Sequence, residues 1–119
     1  MMKTVYDRMA QAILEFEGYF EGSISFKNKN PGNVKAAGQA GIVSKDVFGH
    51  AVFATFEDGY KALYNQVWMM FSNTSHVYNS EMTLYDVFKH YAEGNSKEYA
   101  EFVAKRLDVT PETKLKDIA

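Results

Sequence analysis

Cysteine is absent from this 119-residue chain, and proline occurs only twice. Without cysteine there is no disulfide and no thiolate metal site, so the fold must stand on packing alone. An excess of one charge is missing as well: 13 Lys and Arg oppose 15 Asp and Glu, for a formal net charge of −2. With the signs interspersed, the chain offers no basic footprint for nucleic acid or an anionic membrane. No apolar run approaches the length of a membrane span. The amphipathic opening MMKTVYDRMAQAILEFEG is interrupted by Asp7, Arg8 and Gln11, unlike the core of a signal peptide. His50, His76 and His90 come from separate segments without ligand spacing, so no metal site is expected.

Apolar residues make up 46% of the chain, enough to bury one core, and the length suits a single domain over residues 1–119. Aromatics reach 15%, eight of them tyrosine, which fits a compact core or a sugar-stacking groove. Thr4 with Asp7 three residues on predicts a helix start, and Gly18 a helix stop. Residues 19–33 are rich in Gly, Asn and Pro and predict a loop. Between Val34 and Phe56, glycines punctuate the β-prone runs 41–43, 47–48 and 50–56, predicting an antiparallel hairpin or a three-stranded sheet. Thr55 and Asp58 open a second helix, with Tyr60, Leu63, Tyr64, Val67, Trp68 and Phe71 at helical spacing. This is the strongest period in the chain and predicts a central helix whose aromatics belong to the core. Thr83 with Asp86, Ser96, and Thr110-Pro111-Glu112 open three more helices. The fold class is therefore α+β and mainly α, with several helices around a core helix and a small antiparallel hairpin lobe.

Two glutamates near the end of the first helix lie on opposite flanks of its apolar stripe of Val5, Met9, Ala12, Ile13 and Phe16. One turn back, Glu17 sits over Ala10, Ile13 and Leu14, whereas Glu15 sits over Gln11 and Ala12. Glu17 is the less solvated of the two. Desolvation and the carbonyls of a helix C-terminus both favour the protonated carboxyl, as a general acid requires. An ordinary surface glutamate on a helix flank remains the alternative. Asn30 and Asn33 either hydrogen-bond a sugar's N-acetyl groups or serve the Pro31-Gly32 turn between them.

The motifs Phe16-Glu17-Gly18-Tyr19, Asn28-Lys29-Asn30-Pro31-Gly32-Asn33 and Phe53-Ala54-Thr55-Phe56-Glu57-Asp58-Gly59 together resemble the lysozyme-like lytic transglycosylases. Small phage and bacterial domains of that group carry this order and spacing. The similarity continues through Tyr91-Ala92, Tyr99-Ala100 and Val103-Ala104 to Val109-Thr110-Pro111, covering nearly the whole chain. The resemblance implies a lysozyme-like fold and cleavage of the β-1,4 bond between N-acetylmuramic acid and N-acetylglucosamine in peptidoglycan. Glu17 matches the family's catalytic acid, which protonates the glycosidic oxygen and then serves as base toward the muramic O6 hydroxyl. The product is a 1,6-anhydro sugar, made without metal or cofactor. A two-carboxylate glycosidase would need a second acid roughly 5–10 Å away. Spacing fixes none, since Glu21 falls in the loop and Asp46 in a turn.

Substrate binding is carried over to Asn30 and Asn33, and to Tyr91, whose Tyr91-Ala92-Glu93-Gly94 run is a distant echo of a signature of larger relatives. Lys29 stands where the family has Asn, Val34 where it often has Leu, and Asp108 where it often has Gly. The implied partner is the peptidoglycan glycan strand, met in the periplasm or on the cell wall. Delivery would be by a route other than a signal peptide, as in a phage virion or a larger wall-degrading assembly. Two alternatives stand beside this reading: a hydrolytic lysozyme acting on the same bond, and a glycan-binding or virion structural domain without activity.

Overall fold

The computed structural model describes residues 3–118. The chain is α+β and mainly helical, with five helices and one two-stranded antiparallel sheet among the described residues. In order these are α1 (Val5–Phe16), α2 (Ile24–Lys27), β1 (Ile42–Lys45), β2 (Ala51–Phe53), α3 (Phe56–Phe71), α4 (Leu84–Tyr91) and α5 (Ser96–Arg106), closed by a 3₁₀ turn at Leu115–Asp117. Two compact units result: one takes the chain up to Ala12 and again from Gln66, the other is Ile13–Asn65. The boundary falls inside α1 and α3.

In the first unit, Thr4 caps α1 as expected, its hydroxyl accepting from the Asp7 amide at 3.2 Å and donating to the Asp7 carboxylate at 3.1 Å. Met9, Ala10 and Ala12 are buried. The Arg8 guanidinium donates to the Leu107 carbonyl at the end of α5, 3.2 Å away, where a cation suits the helix terminus. Thr83 and Asp86 close a full capping box on α4. The α4 and α5 helices pack through Leu84, Val87 and Phe88 against Tyr99, Ala100 and Val103, with Phe88 and Tyr99 stacked at 4.4 Å. Ser96 does not cap α5; Asn95 holds that position in a left-handed conformation. The expected helix at residues 110–112 is a turn closed by the Thr113 amide on the Thr110 carbonyl. Helix gives way there because the backbone instead returns to residues 80–83, through the Leu115 amide on Met82 and the Lys116 amide on Ser80.

In the second unit, β1 and β2 pair with Ile42 opposite Phe53 and Lys45 opposite Ala51, and a bulge falls between Ile42 and Ser44. On the other side of β2, Lys35 bridges to His50, so the lobe is a hairpin with a one-residue third strand. Val47 and Phe48, expected in a strand, occupy the exposed turn instead. The Asp46 side chain accepts from the Phe48 and His50 amides, both at 2.9 Å, and this local bonding outcompetes a ladder.

The aromatics of α3 correct the core assignment. Its buried residues are Ala62, Leu63, Val67 and Met70, while Trp68 is 44% exposed and Tyr60, Tyr64 and Phe71 are half-buried. Trp68 lies roughly 140° around the helix from Leu63, beyond the width of one buried stripe. Helical spacing gave the correct element, but the smaller aliphatic residues took its core face.

Candidate functional site

Glu17 sits where α1 stops. Gly18 adopts a left-handed φ of +70°, the Tyr19 amide donates back to the Leu14 carbonyl at 3.4 Å, and the Gly18 amide donates to Glu15 at 3.2 Å. This crossed pair is a Schellman motif, which asks for glycine at its left-handed residue. Glu17 is thereby the helix's C-terminal cap. Its side chain is half-buried, Glu15 is exposed, and of their neighbours Ala10 and Ile13 are fully buried whereas Gln11 is exposed.

The loop that follows contains a helix too short for periodicity to announce. Ser23 caps α2 by accepting from the Phe26 amide at 3.2 Å. The helix ends in a second Schellman pair, from the Asn30 amide to Ser25 at 2.9 Å and from the Lys29 amide to Phe26 at 3.1 Å. Lys29 holds the left-handed residue of that pair at φ +51°. Asn tolerates this conformation better than Lys, so the backbone at this position favours Asn. Asp108 stands in the same relation at the end of α5, with φ +59°.

The asparagine cluster is mostly consumed by the fold. Asn30 is fully buried, and its side-chain amide donates to the Val34 and Ala51 carbonyls, each at 2.9 Å, while its oxygen accepts from the Val34 amide at 3.0 Å. No atom of Asn30 is left to present to a ligand, so its assignment to substrate binding is corrected to a structural clasp. Asn28 is also buried; its carbonyl accepts from the Phe53 amide at 2.8 Å and its side chain donates to Asp46 at 3.0 Å. Gly59 of α3 completes the clasp, because a Cβ there would lie 1.9 Å from the Lys29 carbonyl oxygen. Asn33 differs from Asn30. It is half-buried at φ +51°, its amide closes the Pro31-Gly32 turn onto the Asn30 carbonyl at 2.9 Å, and its buried Oδ1 has no hydrogen-bond partner among the described residues.

Asp46 lies in the hairpin turn and serves it. Partial burial would raise its pKa, but bonds from the His50 amide and ring, the Asn28 amide and the Phe48 amide outweigh that and hold the carboxyl at about 2. The His50 ring nitrogen Nδ1 is 3.1 Å from the carboxylate. A carboxyl so stabilised as the anion is a poor proton donor.

Two residues past Glu17, Tyr19 forms one wall of an open groove of about 490 Å³ with Phe26, Lys29 and Phe56. The Tyr19 ring meets Phe26 and Phe56, each at 5.2 Å between centroids. Burial, and then the nearby Glu57 carboxylate, push the Tyr19 phenol up from its ordinary pKa. Phe56 also borders a second groove of about 350 Å³ along α3, with Tyr60, Tyr64 and Lys61. Sequence reasoning missed these surfaces because Phe26 stands among loop-forming residues and the spacing of Phe56, Tyr60 and Tyr64 matches a core stripe.

Tyr91 belongs to the other unit. It is half-buried at the end of α4, edge-on to Phe88 at 5.8 Å and to Tyr99 at 6.0 Å. Among the described residues, no group of three or more His, Asp or Glu side chains is arranged to hold a metal ion. No helix there is long and apolar enough to cross a membrane. No protein-family model, curated protein or solved structure matches the chain.

Proposed function

We propose that this chain is a lysozyme-like domain that cleaves the β-1,4 bond between N-acetylmuramic acid and N-acetylglucosamine in peptidoglycan, as a lytic transglycosylase, with Glu17 as general acid and then base. The observation that carries the reading is the placement of Glu17. It is the half-buried cap of α1, two residues from the wall of an aromatic groove, while Glu15 on the same turn is exposed. On this reading the Glu17 carboxyl gives a proton to the glycosidic oxygen and later takes one from the muramic O6 hydroxyl. Asp46, in the same unit, is committed to the turn as a stabilised anion. A mechanism with one essential carboxylate suits that division better than a two-acid mechanism. Asn33, with its unpartnered Oδ1, remains the contact assigned to the sugar's N-acetyl group. The glycan strand of the cell wall is the partner on this reading.

Glu17→Gln removes the transferable proton while nearly preserving shape. It should reduce clearing of purified cell walls by at least ~10²-fold, the scale of a lost general acid. Glu15→Gln should clear them as the parent does, and thermal melts of all three proteins should agree closely. Equal clearing by Glu17→Gln would end the assignment. Mass spectrometry of the released muropeptides then separates a 1,6-anhydro product, expected here, from the reducing end that a hydrolytic lysozyme would leave.

A further inference from the structure

Five aromatic rings of the second unit form one continuous surface. Tyr19 touches Phe26 and Phe56, Phe56 continues to Tyr60 at 6.0 Å, and Tyr64 follows one helical turn later. Phe56 borders both grooves, which makes them halves of a single track along α3. Phe26 is 42% exposed and Phe56 36%, so these rings present area to solvent instead of filling the core. Along α3 the rings recur every four residues, a rise of about 6 Å, close to the length of one pyranose unit. Aromatic faces pair with the flat C–H faces of such rings and tolerate changes in their substituents.

The rim carries ammonium groups. Lys29 borders the first groove and Lys61 the second. Lys29 donates to the Ala54 carbonyl at 3.2 Å, which anchors the side chain and uses one of its three protons. Glu57 lies on the same rim, so the track has a mixed edge with a positive excess.

We infer that this track is a second glycan-binding surface, one that stacks the sugar rings of a peptidoglycan strand along Phe26, Phe56 and Tyr60 and receives the carboxylates of its stem peptides on Lys29 and Lys61. It rests on the proposed substrate class, and it supplies that reading with a basis for preferring strands that bear peptides over uncharged chitin-like chains. An apolar floor alone would accept any flat apolar ligand. The ammonium rim adds complementarity to an anionic substituent, which a stem peptide has and a chain of N-acetylglucosamine lacks.

The test uses the full chain carrying Glu17→Gln, so that ligand survives the measurement. Titration calorimetry would compare solubilised peptidoglycan strands bearing stem peptides, N-acetylglucosamine oligomers, and vesicles of anionic phospholipid. Stem-bearing strands should bind tightest. Phe56→Ala should weaken both glycans by roughly 10-fold, the scale of one ring's apolar contact. Lys29→Asn should weaken only the stem-bearing strand, by roughly 3-fold, as expected for an exposed ion pair. That second variant also relieves a left-handed lysine, so its loss of binding cannot be assigned to a weakened fold. Parent-like binding of both glycans by Phe56→Ala would overturn the inference, as would binding to vesicles with none to glycans. Should the wild-type protein bind stem-bearing strands through Phe56 yet release no product, the track stands and the catalytic reading falls. Should wall clearing depend on Glu17 but glycan binding be indifferent to Phe56, the reverse holds.

Discussion

Gly59→Ala sets two opposed effects against each other on the helix that backs the candidate site. Gly59 lies near the start of α3 with ordinary helical φ, where alanine alone would stabilise by roughly 0.5–1 kcal/mol. The new Cβ, however, would stand 1.9 Å from the Lys29 carbonyl oxygen and 3.0 Å from the Pro31 Cδ. An unstrained carbon–oxygen approach is ~3.3 Å, so one backbone must retreat by about 1.4 Å. That retreat stretches the bonds on either side of Lys29: the Phe53 amide on the Asn28 carbonyl, and the three side-chain bonds of Asn30. Overpacking typically costs 1–3 kcal/mol and each lost bond about 1 kcal/mol, so the net change should be roughly 2–4 kcal/mol of destabilisation. At this chain length that corresponds to a fall in melting temperature on the order of 10 °C. Gly94→Ala is the control, since nothing lies within 4 Å of a Cβ there. Differential scanning calorimetry of the two variants decides the matter. A Gly59→Ala protein as stable as Gly94→Ala would refute the close approach of α3 to the asparagine turn.

Asn30→Ala should destabilise by roughly 3 kcal/mol in urea melts, because it leaves the buried Val34 amide without its acceptor. Lys29→Asn should raise stability by about 1 kcal/mol in the same assay by relieving a left-handed lysine. Asp46 titrates at about 2 in the folded chain, below the ordinary 3.8 of an aspartate, so its contribution is present above the higher value and lost as pH falls through the lower. Asp46→Asn should therefore lower stability at neutral pH and flatten the decline between about pH 4 and pH 2, and urea melts across that range that keep the parent's slope would contradict the role given to this turn.

Much of the fold was legible where a local rule had no competitor. Thr4, Thr55 and Thr83 each cap the helix expected of them, the last two by accepting from Asp58 and Asp86 amides at 3.1 Å. Gly18 ends α1 because a Schellman motif needs a left-handed residue there. Other features were hidden because tertiary context overrode the local signal. The four residues of α2 are fewer than a helical period needs, and only the Ser23 cap hinted at them. Val47 and Phe48 have strand propensity, but the bonds to Asp46 bend the chain into a turn first. The aromatics of α3 had the spacing of a core stripe, and no pattern of sixteen residues could say that Leu63, Val67 and Met70 would outrank them for burial. At the candidate site, the contrast between Glu17 and Glu15 was readable from neighbours one turn back. The aromatic track was not, because it joins residues from Tyr19 to Tyr64 that only the folded chain brings together.

The asparagine motif bears differently on function once its bonds are known. Asn28 holds Asp46 and Phe53, Lys29 ends α2 in a strained left-handed residue, Asn30 clasps Val34 to Ala51, and Gly59 admits the Lys29 carbonyl. Each of these would be required of a chain that folds this way whether or not it cuts a glycan. A resemblance carried by such positions therefore speaks first for a shared backbone and only indirectly for shared chemistry. Two motif residues escape that explanation. Asn33 buries an acceptor that the described protein does not satisfy, and an unmet buried acceptor destabilises by roughly 1–3 kcal/mol. Glu17 occupies the C-terminal cap of α1, where the Schellman motif at Gly18 would form with an uncharged residue as well, so the backbone does not ask for its carboxylate. The unmet acceptor of Asn33 runs against stability, and such local sacrifices concentrate at functional sites. The weight of the catalytic reading thus rests on Glu17 and Asn33, with the rest of the motif as the frame that holds them.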